Sequence, residues 1–169
     1  YTSPHLDDVR ERIRVDGRKL PQRAVTEFVE DVEPHVTDRA TDGEAPTFFE
    51  TLTALSLWEF GRREVDIAVL EVGIGGRYDA TSVIDPIAGA VTSVALEHTD
   101  ILGETIEEIA RDKAHVAPAD RPLVCGADGD ARAAIRDEIG DVLTVGDPGD
   151  DVAVAYGGRD GLESAVSLD

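Results

Sequence analysis

The sequence contains no methionine, only one cysteine and one tryptophan, and aromatic residues make up 5% of it. Because Cys125 stands alone, the chain cannot form an internal disulfide, and a reducing, cytoplasmic setting fits. No apolar run approaches the roughly 18 residues that a membrane span needs. Without an initiator methionine, and with abrupt ends at Tyr1 and Asp169, the chain is expected to be a fragment of a longer protein.

Basic residues are also scarce. Thirty-six acids face sixteen bases, which gives a formal net charge of -20, and Lys19 and Lys113 are the lysines among those bases. Such a charge repels nucleic acid and anionic membranes, so neither is expected as a partner. Acid excess with little lysine resembles the proteins of salt-loving archaea, in which high salt screens the self-repulsion. Most of the acids are therefore expected to lie on a solvated surface.

The hydrophobic content of 41% is sufficient for a packed core. Apolar runs bounded by charge, glycine or proline predict parallel strands over residues 65–70, 89–96, 122–125 and 142–145. Helices are predicted over residues 23–32, 47–61, 105–117 and 131–139, with capping boxes at Thr47 and Thr105. Strands that alternate with helices indicate an α/β fold, a parallel sheet flanked by helices.

Other segments are predicted to lie apart from this sheet. Residues 9–20 show a short alternation followed by Asp16-Gly17, which favours a hairpin. Residues 38–45 are polar and are predicted to form a loop. Residues 152–156 and 165–168 are interpreted as strands outside the main sheet, and Cys125 as a buried small hydrophobe.

Two polar positions follow predicted strands. Glu71 comes directly after residues 65–70, and His98 follows residues 89–96 with Glu97 beside it. Ligands of open α/β sheets bind beyond the carboxyl ends of the strands, and hard cations such as Mg²⁺ prefer carboxylate oxygen. On spacing alone, a metal role for Glu71 and a simple turn-capping role remain equally open.

The glycines after Glu71 make the next loop permissive for positive φ angles and for close approach of a ligand. The G-x-G-x-x-G pattern of dinucleotide-binding proteins fails at its last glycine, because Tyr78 stands there. A Rossmann-type oxidoreductase is therefore disfavoured. The phosphate-binding pattern G-x-x-x-x-G-K-[ST] is absent from these residues.

Lys113 lies on the predicted helix over residues 105–117. A helical lysine is usually solvated, but here solvated lysines are largely replaced by arginine or acids. Lysine, unlike arginine, can lose its proton and act as a nucleophile toward CO₂ or a carbonyl. His35 and His115 are interpreted as surface residues.

Several segments together resemble the folylpolyglutamate synthase/dihydrofolate synthase family of the Mur ligase superfamily. Residues 69–84, VLEVGIGGRYDATSVI, fit the second signature of that family throughout. Further matching blocks follow in the same order up to about residue 126: YTSPHL at 1–6, ERI at 11–13, FFETLTA at 48–54, EHTDILG at 97–103 and IEEIARDKA at 106–114.

The resemblance implies that residues 1–169 are an incomplete central ATP-binding domain of the Mur ligase type, with a P-loop NTPase-like fold. The P-loop segment would lie before Tyr1 and the glutamate-binding domain after Asp169. No nucleotide-binding residue is therefore expected within the chain, and the fragment alone is expected to be inactive.

The resemblance also implies residue roles. Ser3, Glu71 and His98 match Mg²⁺ ligands, and Lys113 matches a lysine that is carbamylated in the family. Substrate-binding segments of the family match seven positions: Thr47, Phe48, Phe49, Glu50, Tyr78, Asp79 and Ala80. Glu97 stands where the family commonly has aspartate.

The implied activity is an ATP-dependent ligation that joins L-glutamate to dihydropteroate or tetrahydrofolate through an acyl phosphate, in folate biosynthesis. The implied cofactors are ATP and two Mg²⁺ ions, with K⁺ as an optional third cation, and another folate-pathway domain is a candidate fusion partner. Two alternatives stay open, another Mur-type amino-acid ligase and a nucleotide-binding domain without catalysis.

Overall fold

A computed structural model describes the backbone of residues 1–41, 43–160 and 163–168, and the side chains of residues 1–37 and 43–154. The chain divides into two compact units, Tyr1–Gly73 and Ile74–Asp169. Each unit is described by itself, and the assignment of residues 1–169 to one incomplete domain stays a prediction.

The first unit begins with the predicted hairpin. A 3₁₀ turn, Val9–Arg12, leads into β1 (Arg14–Val15), which pairs antiparallel with β2 (Arg18–Lys19). Asp16 and Gly17 have φ angles of 52° and 73° and form the tight turn between the strands. The hairpin is confirmed.

Helix α1 (Gln22–Thr41) is much longer than the predicted helix. The loop predicted over residues 38–45 is therefore wrong for residues 38–41, while residue 42 lies outside the described residues. The helix is held by Ala24 and Phe28, which are buried in the core of the unit. The backbone of residues 38–41 continues this helix, so the polar composition there does not end it.

Helix α2 (Phe48–Arg62) confirms the prediction made from its capping box, in which Thr47 is the N-cap. Leu52, Leu55 and Phe60 from this helix join the unit's core, together with Ile13 from the hairpin. Phe48, on the first turn of the helix, is 61% exposed.

The prediction of a central strand over residues 65–70 is wrong for this structure, in which the segment belongs to no strand. Its described long-range backbone hydrogen bonds are with Tyr1. The Tyr1 nitrogen donates to the Val69 carbonyl, and the Tyr1 carbonyl accepts from the Glu71 N–H. That pattern is the one of parallel strands. Ile67 and Val69 are 72% and 76% exposed, so the described residues leave these side chains uncovered.

The second unit contains a five-stranded sheet in the order β3-β4-β5-β6-β7. The strands are β3 (Gly89–Val91), β4 (Leu123–Cys125), β5 (Leu143–Gly146), β6 (Val152–Asp160) and β7 (Glu163–Leu168). The first four run parallel, and β7 is antiparallel to β6. The α/β fold with a parallel sheet is confirmed, but β6 and β7 extend this sheet instead of lying outside it.

Helices α4 (Ile106–Ala114) and α5 (Gly129–Ile139) confirm two predicted helices, and a short α3 (Thr99–Leu102) precedes them. Their core is rich in small side chains, with Ala110, Ala114, Ala131 and Ala134 buried beside Cys125. These short side chains allow helices and sheet to approach closely. No helix within the described residues is long and apolar enough to cross a membrane.

Candidate functional site

Ser3 and Glu71 lie next to each other in the first unit. The backbone N–H of Ser3 donates to Glu71 Oε2 over 2.8 Å. The Tyr1 hydrogen bonds to Val69 and Glu71, at 2.8 and 3.0 Å, set this pairing. Glu71 is exposed, and the described contacts occupy one of its two carboxylate oxygens. The other oxygen is open to a cation.

The segment Thr47 to Glu50 serves first to begin helix α2. Thr47 Oγ1 accepts from the Glu50 N–H at 3.2 Å, and Glu50 Oε2 accepts from the Thr47 N–H at 2.6 Å. The hydrogen bond from the Thr47 backbone holds the pKa of Glu50 below its usual value. Phe49 packs against Tyr1, with ring centroids 5.7 Å apart. The ring of Phe48 is therefore the part of this segment that is most open to a ligand.

In the second unit, the glycine loop packs against helix α4. The Gly76 N–H donates to Asp112 Oδ1 over 2.9 Å. A Cβ atom on Gly75, whose φ angle is 68°, would collide with the Asp112 carboxylate, and one on Gly76 would lie 3.0 Å from the Lys113 carbonyl oxygen. The close approach that these glycines permit is thus to the helix that carries Lys113. The expectation that they make room for a ligand is not supported at these two positions.

In residues 78–80, the Tyr78 ring is exposed and the Asp79 carboxylate stabilises the loop. Tyr78 is 88% exposed. Asp79 Oδ2 accepts from the Ile74 N–H at 3.1 Å, and its Oδ1 accepts from Thr81 Oγ1 at 2.7 Å. Asp79 thereby caps the 3₁₀ turn Ala80–Val83 and closes the loop. Tyr78 is left as the side chain of this segment that is most accessible to a substrate.

His98 occupies a left-handed backbone conformation, with a φ angle of 50°, at the start of α3. Its carbonyl accepts from the N–H groups of Ile101 and Leu102, both at 2.9 Å, while its side chain makes no capping bond. Non-glycine residues in this region are uncommon and cluster at functional sites, although histidine tolerates it better than most. The exposed imidazole is available to a ligand.

Lys113 forms an ion pair with Glu97. Its Nζ lies 2.9 Å from Glu97 Oε1, and the Lys113 side chain keeps 18% of its exposure. The hydrogen bond from Lys113 lowers the pKa of Glu97, and the charge of Lys113 adds to this effect. Lys113 is therefore mostly buried and paired, and is not the solvated lysine that is usual on a helix.

A cluster that the sequence did not reveal ties the glycine loop to both helices. Arg77 Nη2 contacts His115 Nε2 and donates to Glu138 Oε1 at 3.0 Å, and His115 Nε2 lies 2.8 Å from the same carboxylate oxygen. The hydrogen bond with His115 lowers the pKa of Glu138. The three residues stand 38 and 23 positions apart, so no local spacing signals the cluster.

The chain is similar to known proteins both in sequence and in fold. No model of a known protein family matches the chain. The chain is 64% identical, over 99% of its length, to a Halobacterium salinarum protein described as a "Probable bifunctional folylpolyglutamate synthase/dihydropteroate synthase". It is 41% identical, over 75% of its length, to the Escherichia coli "Dihydrofolate synthase/folylpolyglutamate synthase". The fold matches an "FPGS-AMPPCP complex" with a TM-score of 0.87 and 33% identity, over 99% of this chain and 43% of that one.

The chain belongs to the folylpolyglutamate synthase/dihydrofolate synthase family. The resemblance drawn from residues 1–126 is confirmed, and so is the kinship to proteins of salt-loving archaea. The chain spans 21% of the length of the Halobacterium relative and 29% of the Escherichia coli relative.

The donor atoms of Glu71 and Ser3 fit in part the Mg²⁺ site that the folylpolyglutamate synthase resemblance implies. Glu71 supplies a carboxylate oxygen and Ser3 a hydroxyl, both of which suit a hard cation. Among the described residues, no three His, Cys, Asp or Glu side chains converge on a metal-binding group. Mg²⁺ commonly takes one or two protein oxygens and completes its shell with water and substrate phosphate, so this sparse set is compatible with it.

Proposed function

We propose that the full-length protein that carries this chain is an ATP-dependent ligase that adds L-glutamate to dihydropteroate or to a reduced folate. The observation that carries the proposal is the 64% identity, over 99% of this chain, to the bifunctional Halobacterium relative. The fold agreement with the structure described as an "FPGS-AMPPCP complex" supports use of ATP, because AMPPCP is an analogue of ATP.

The reaction would proceed in two steps. A substrate carboxylate oxygen attacks the γ-phosphorus of ATP, the bond to ADP breaks, and an acyl phosphate forms. The glutamate nitrogen then attacks the acyl carbon, phosphate leaves with the bonding electrons, and the nitrogen loses a proton as the amide forms. Phosphoryl transfer needs mainly positioning and charge neutralisation from the protein. Mg²⁺ would supply that neutralisation.

The residues are proposed to share this work. Glu71 and Ser3, which the Ser3 N–H holds together, would bind one Mg²⁺ through oxygen. His98 would offer its exposed imidazole to a second cation. Phe48, which is 61% exposed, would contact the flat substrate ring, and Thr47, Phe49 and Glu50 would shape the segment around it. In the second unit, the substrate roles of Tyr78, Asp79 and Ala80 stay predictions from the resemblance, and Tyr78 is 88% exposed. No described contact argues for K⁺, so the proposal does not include it.

Lys113 is predicted to be carbamylated when Mg²⁺ and bicarbonate are present. Its neutral amine would attack CO₂, an N–C bond would form, and one amine proton would pass to solvent, which leaves an anionic carbamate. That anion would face Glu97, which now lies 2.9 Å from Nζ, so a cation is needed to balance the two charges. The full-length protein with ¹³C-bicarbonate should therefore show a carbamate carbon signal by NMR that depends on Mg²⁺.

Lys19 provides the matched control for this prediction, because it pairs with Asp8 at an exposed site. Lys113→Arg should remove the signal, and Lys19→Arg should leave it unchanged. Unmodified Lys113 in a well-resolved, nucleotide-bound crystal grown with Mg²⁺ and bicarbonate would show the prediction to be wrong.

Release of ADP by the full-length protein tests the proposed function. In high salt with Mg²⁺, ADP should form only when ATP, L-glutamate and either dihydropteroate or tetrahydrofolate are all present. ADP formation with another carboxylate acceptor in place of the pterin would favour a different Mur-type ligase. Absence of ADP formation with every acceptor would favour a nucleotide-binding domain without catalysis.

The description of the Halobacterium relative as bifunctional supports a further part of the proposal, a dihydropteroate synthase domain in the same polypeptide. Such a domain would make the pterin acid that this ligase consumes. A cytoplasmic location stays a prediction from the single cysteine.

A further inference from the structure

Arg12 is a buried cation with an unusual set of partners. The residue keeps 9% of its exposure, its Nε donates to His5 Nδ1 over 2.9 Å, and its guanidinium lies 5.4 Å from the centre of the Phe48 ring. No carboxylate pairs with it among the described side chains. In a chain with 36 acids and 16 bases, a buried arginine without an acid partner is unexpected.

The acids on neighbouring segments are engaged elsewhere. Asp8 pairs with Arg10 and Lys19. Glu11 accepts from the N–H groups of Leu6 and Asp8 at 3.2 and 3.3 Å. Glu50, on the first turn of α2, closes the capping box with Thr47. None of these carboxylates neutralises the Arg12 charge.

Burial of an uncompensated charge is costly, and proteins normally pair such a charge or expose it. Among the described residues, the buried side-chain atoms that lack a hydrogen-bond partner do not include the terminal nitrogens of Arg12. Each therefore keeps some contact with solvent, although no described protein atom accepts a hydrogen bond from it. A planar guanidinium with two accessible terminal nitrogens matches the geometry of a carboxylate or a phosphate.

We infer that Arg12 binds an oxyanion of the ligase's substrates, and that this oxyanion is the carboxylate of the aromatic acid or a phosphate oxygen of the nucleotide. This inference rests on the proposed function and assigns a residue to it. The exposed ring of Phe48 favours the carboxylate, because a flat acid could contact that ring while its charge meets the guanidinium. The Arg12 carbonyl also accepts the Thr2 N–H at 2.8 Å, so the same residue holds the segment that carries Ser3.

A purely structural Arg12 would hold Phe48 and His5 in place and nothing more. Ligand pairs that differ only in charge separate this role from oxyanion binding, because loss of a structural contact would weaken both members equally. Pteroate and its uncharged carboxamide form such a pair. Arg18 on β2 provides the matched control, because it is an exposed arginine in the same hairpin.

Affinities for pteroate, its carboxamide and ADP are to be measured with the full-length protein in high salt. The wild type should bind pteroate more tightly than the carboxamide by roughly 10- to 100-fold, the value of a hydrogen-bonded charge. Arg12→Met should abolish that preference without changing carboxamide affinity, Arg12→Lys should keep part of it, and Arg18→Met should behave as the wild type. Far-UV circular dichroism checks the fold, and Arg12→Lys decides if Arg12→Met does not fold.

If Arg12→Met instead weakens ADP binding by about tenfold or more and leaves the pteroate preference intact, the oxyanion is a nucleotide phosphate and the inference holds with that source. Equal affinities of wild type and Arg12→Met for all three ligands would overturn it. Failure of the proposed function is a separate result, because it would appear as absence of ADP formation by the wild-type protein.

Discussion

Glu71→Gln is expected to lower Mg²⁺-dependent ADP formation by about 100-fold or more, because a metal ion contributes several kcal/mol to transition-state stabilisation. The fold should survive, since the glutamine carbonyl can still accept the Ser3 N–H that now meets Glu71 Oε2 at 2.8 Å. What the substitution removes is the negative charge. The variant should therefore need a higher Mg²⁺ concentration for whatever turnover remains, measured by initial rates across an Mg²⁺ titration of the full-length protein.

Asp66→Asn is the matched control for this experiment. Asp66 is an exposed acid five positions earlier on the same segment, so its substitution changes the net charge equally. It should leave both the rate and the Mg²⁺ dependence as in the wild type. A Glu71→Gln protein with near-normal turnover at the same Mg²⁺ concentration would show that Glu71 is not a metal ligand.

Gly75→Ala is expected to destabilise the second unit strongly. At a φ angle of 68°, an alanine costs about 1–2 kcal/mol, and its Cβ would also collide with the Asp112 carboxylate. Crowding of this kind typically adds about 1–3 kcal/mol. The expected sum is roughly 2–5 kcal/mol, which thermal unfolding of the full-length protein should register as a shift of several degrees.

Gly17→Ala separates the two costs. Gly17 has a φ angle of 73°, but a Cβ added there would meet no atom within 4 Å. It should therefore show the backbone cost alone. Asp112→Ala in the Gly75→Ala background should recover part of the lost stability. A Gly75→Ala protein that is no less stable than Gly17→Ala would refute the close packing between the glycine loop and α4.

The elements that sequence predicted best carry local, physically specific signals. Helices α2 and α4 each begin with a threonine cap and a glutamate three residues into the helix, and both capping boxes form as predicted. The hairpin follows from Asp16-Gly17, which adopts the positive φ angles that such a turn requires. These signals involve residues within a few positions of each other, so no tertiary information is needed.

The errors arise where pairing partners decide the structure. Residues 65–70 have the composition of a buried strand, but a strand exists only where a neighbouring strand supplies a ladder. Among the described residues, the long-range backbone partner of this segment is Tyr1. Conversely, β6 joins the main sheet because it pairs parallel with β5 through Val145 and Val152. Composition carries no information on which strands meet.

The candidate site residues come from the family resemblance, and their roles stay predictions. Ser3 and Glu71 lie next to each other, joined by a hydrogen bond from the Ser3 backbone N–H that no sequence pattern shows. Thr47 and Asp79 instead organise their own segments as caps. No sequence pattern assigns a role to Arg12, because an arginine's burial and lack of an acid partner emerge only when the fold is known.

The most direct test of the central claim is the stoichiometry of product formation. Full-length protein is to be incubated in high salt with Mg²⁺, ATP, L-glutamate and dihydropteroate, and ADP and pterin products are to be quantified by chromatography and mass spectrometry. One glutamylated pterin for each ADP released is the result expected of a folylpolyglutamate synthase/dihydrofolate synthase. ADP release without any glutamylated pterin, or no release at all, would contradict the proposed function.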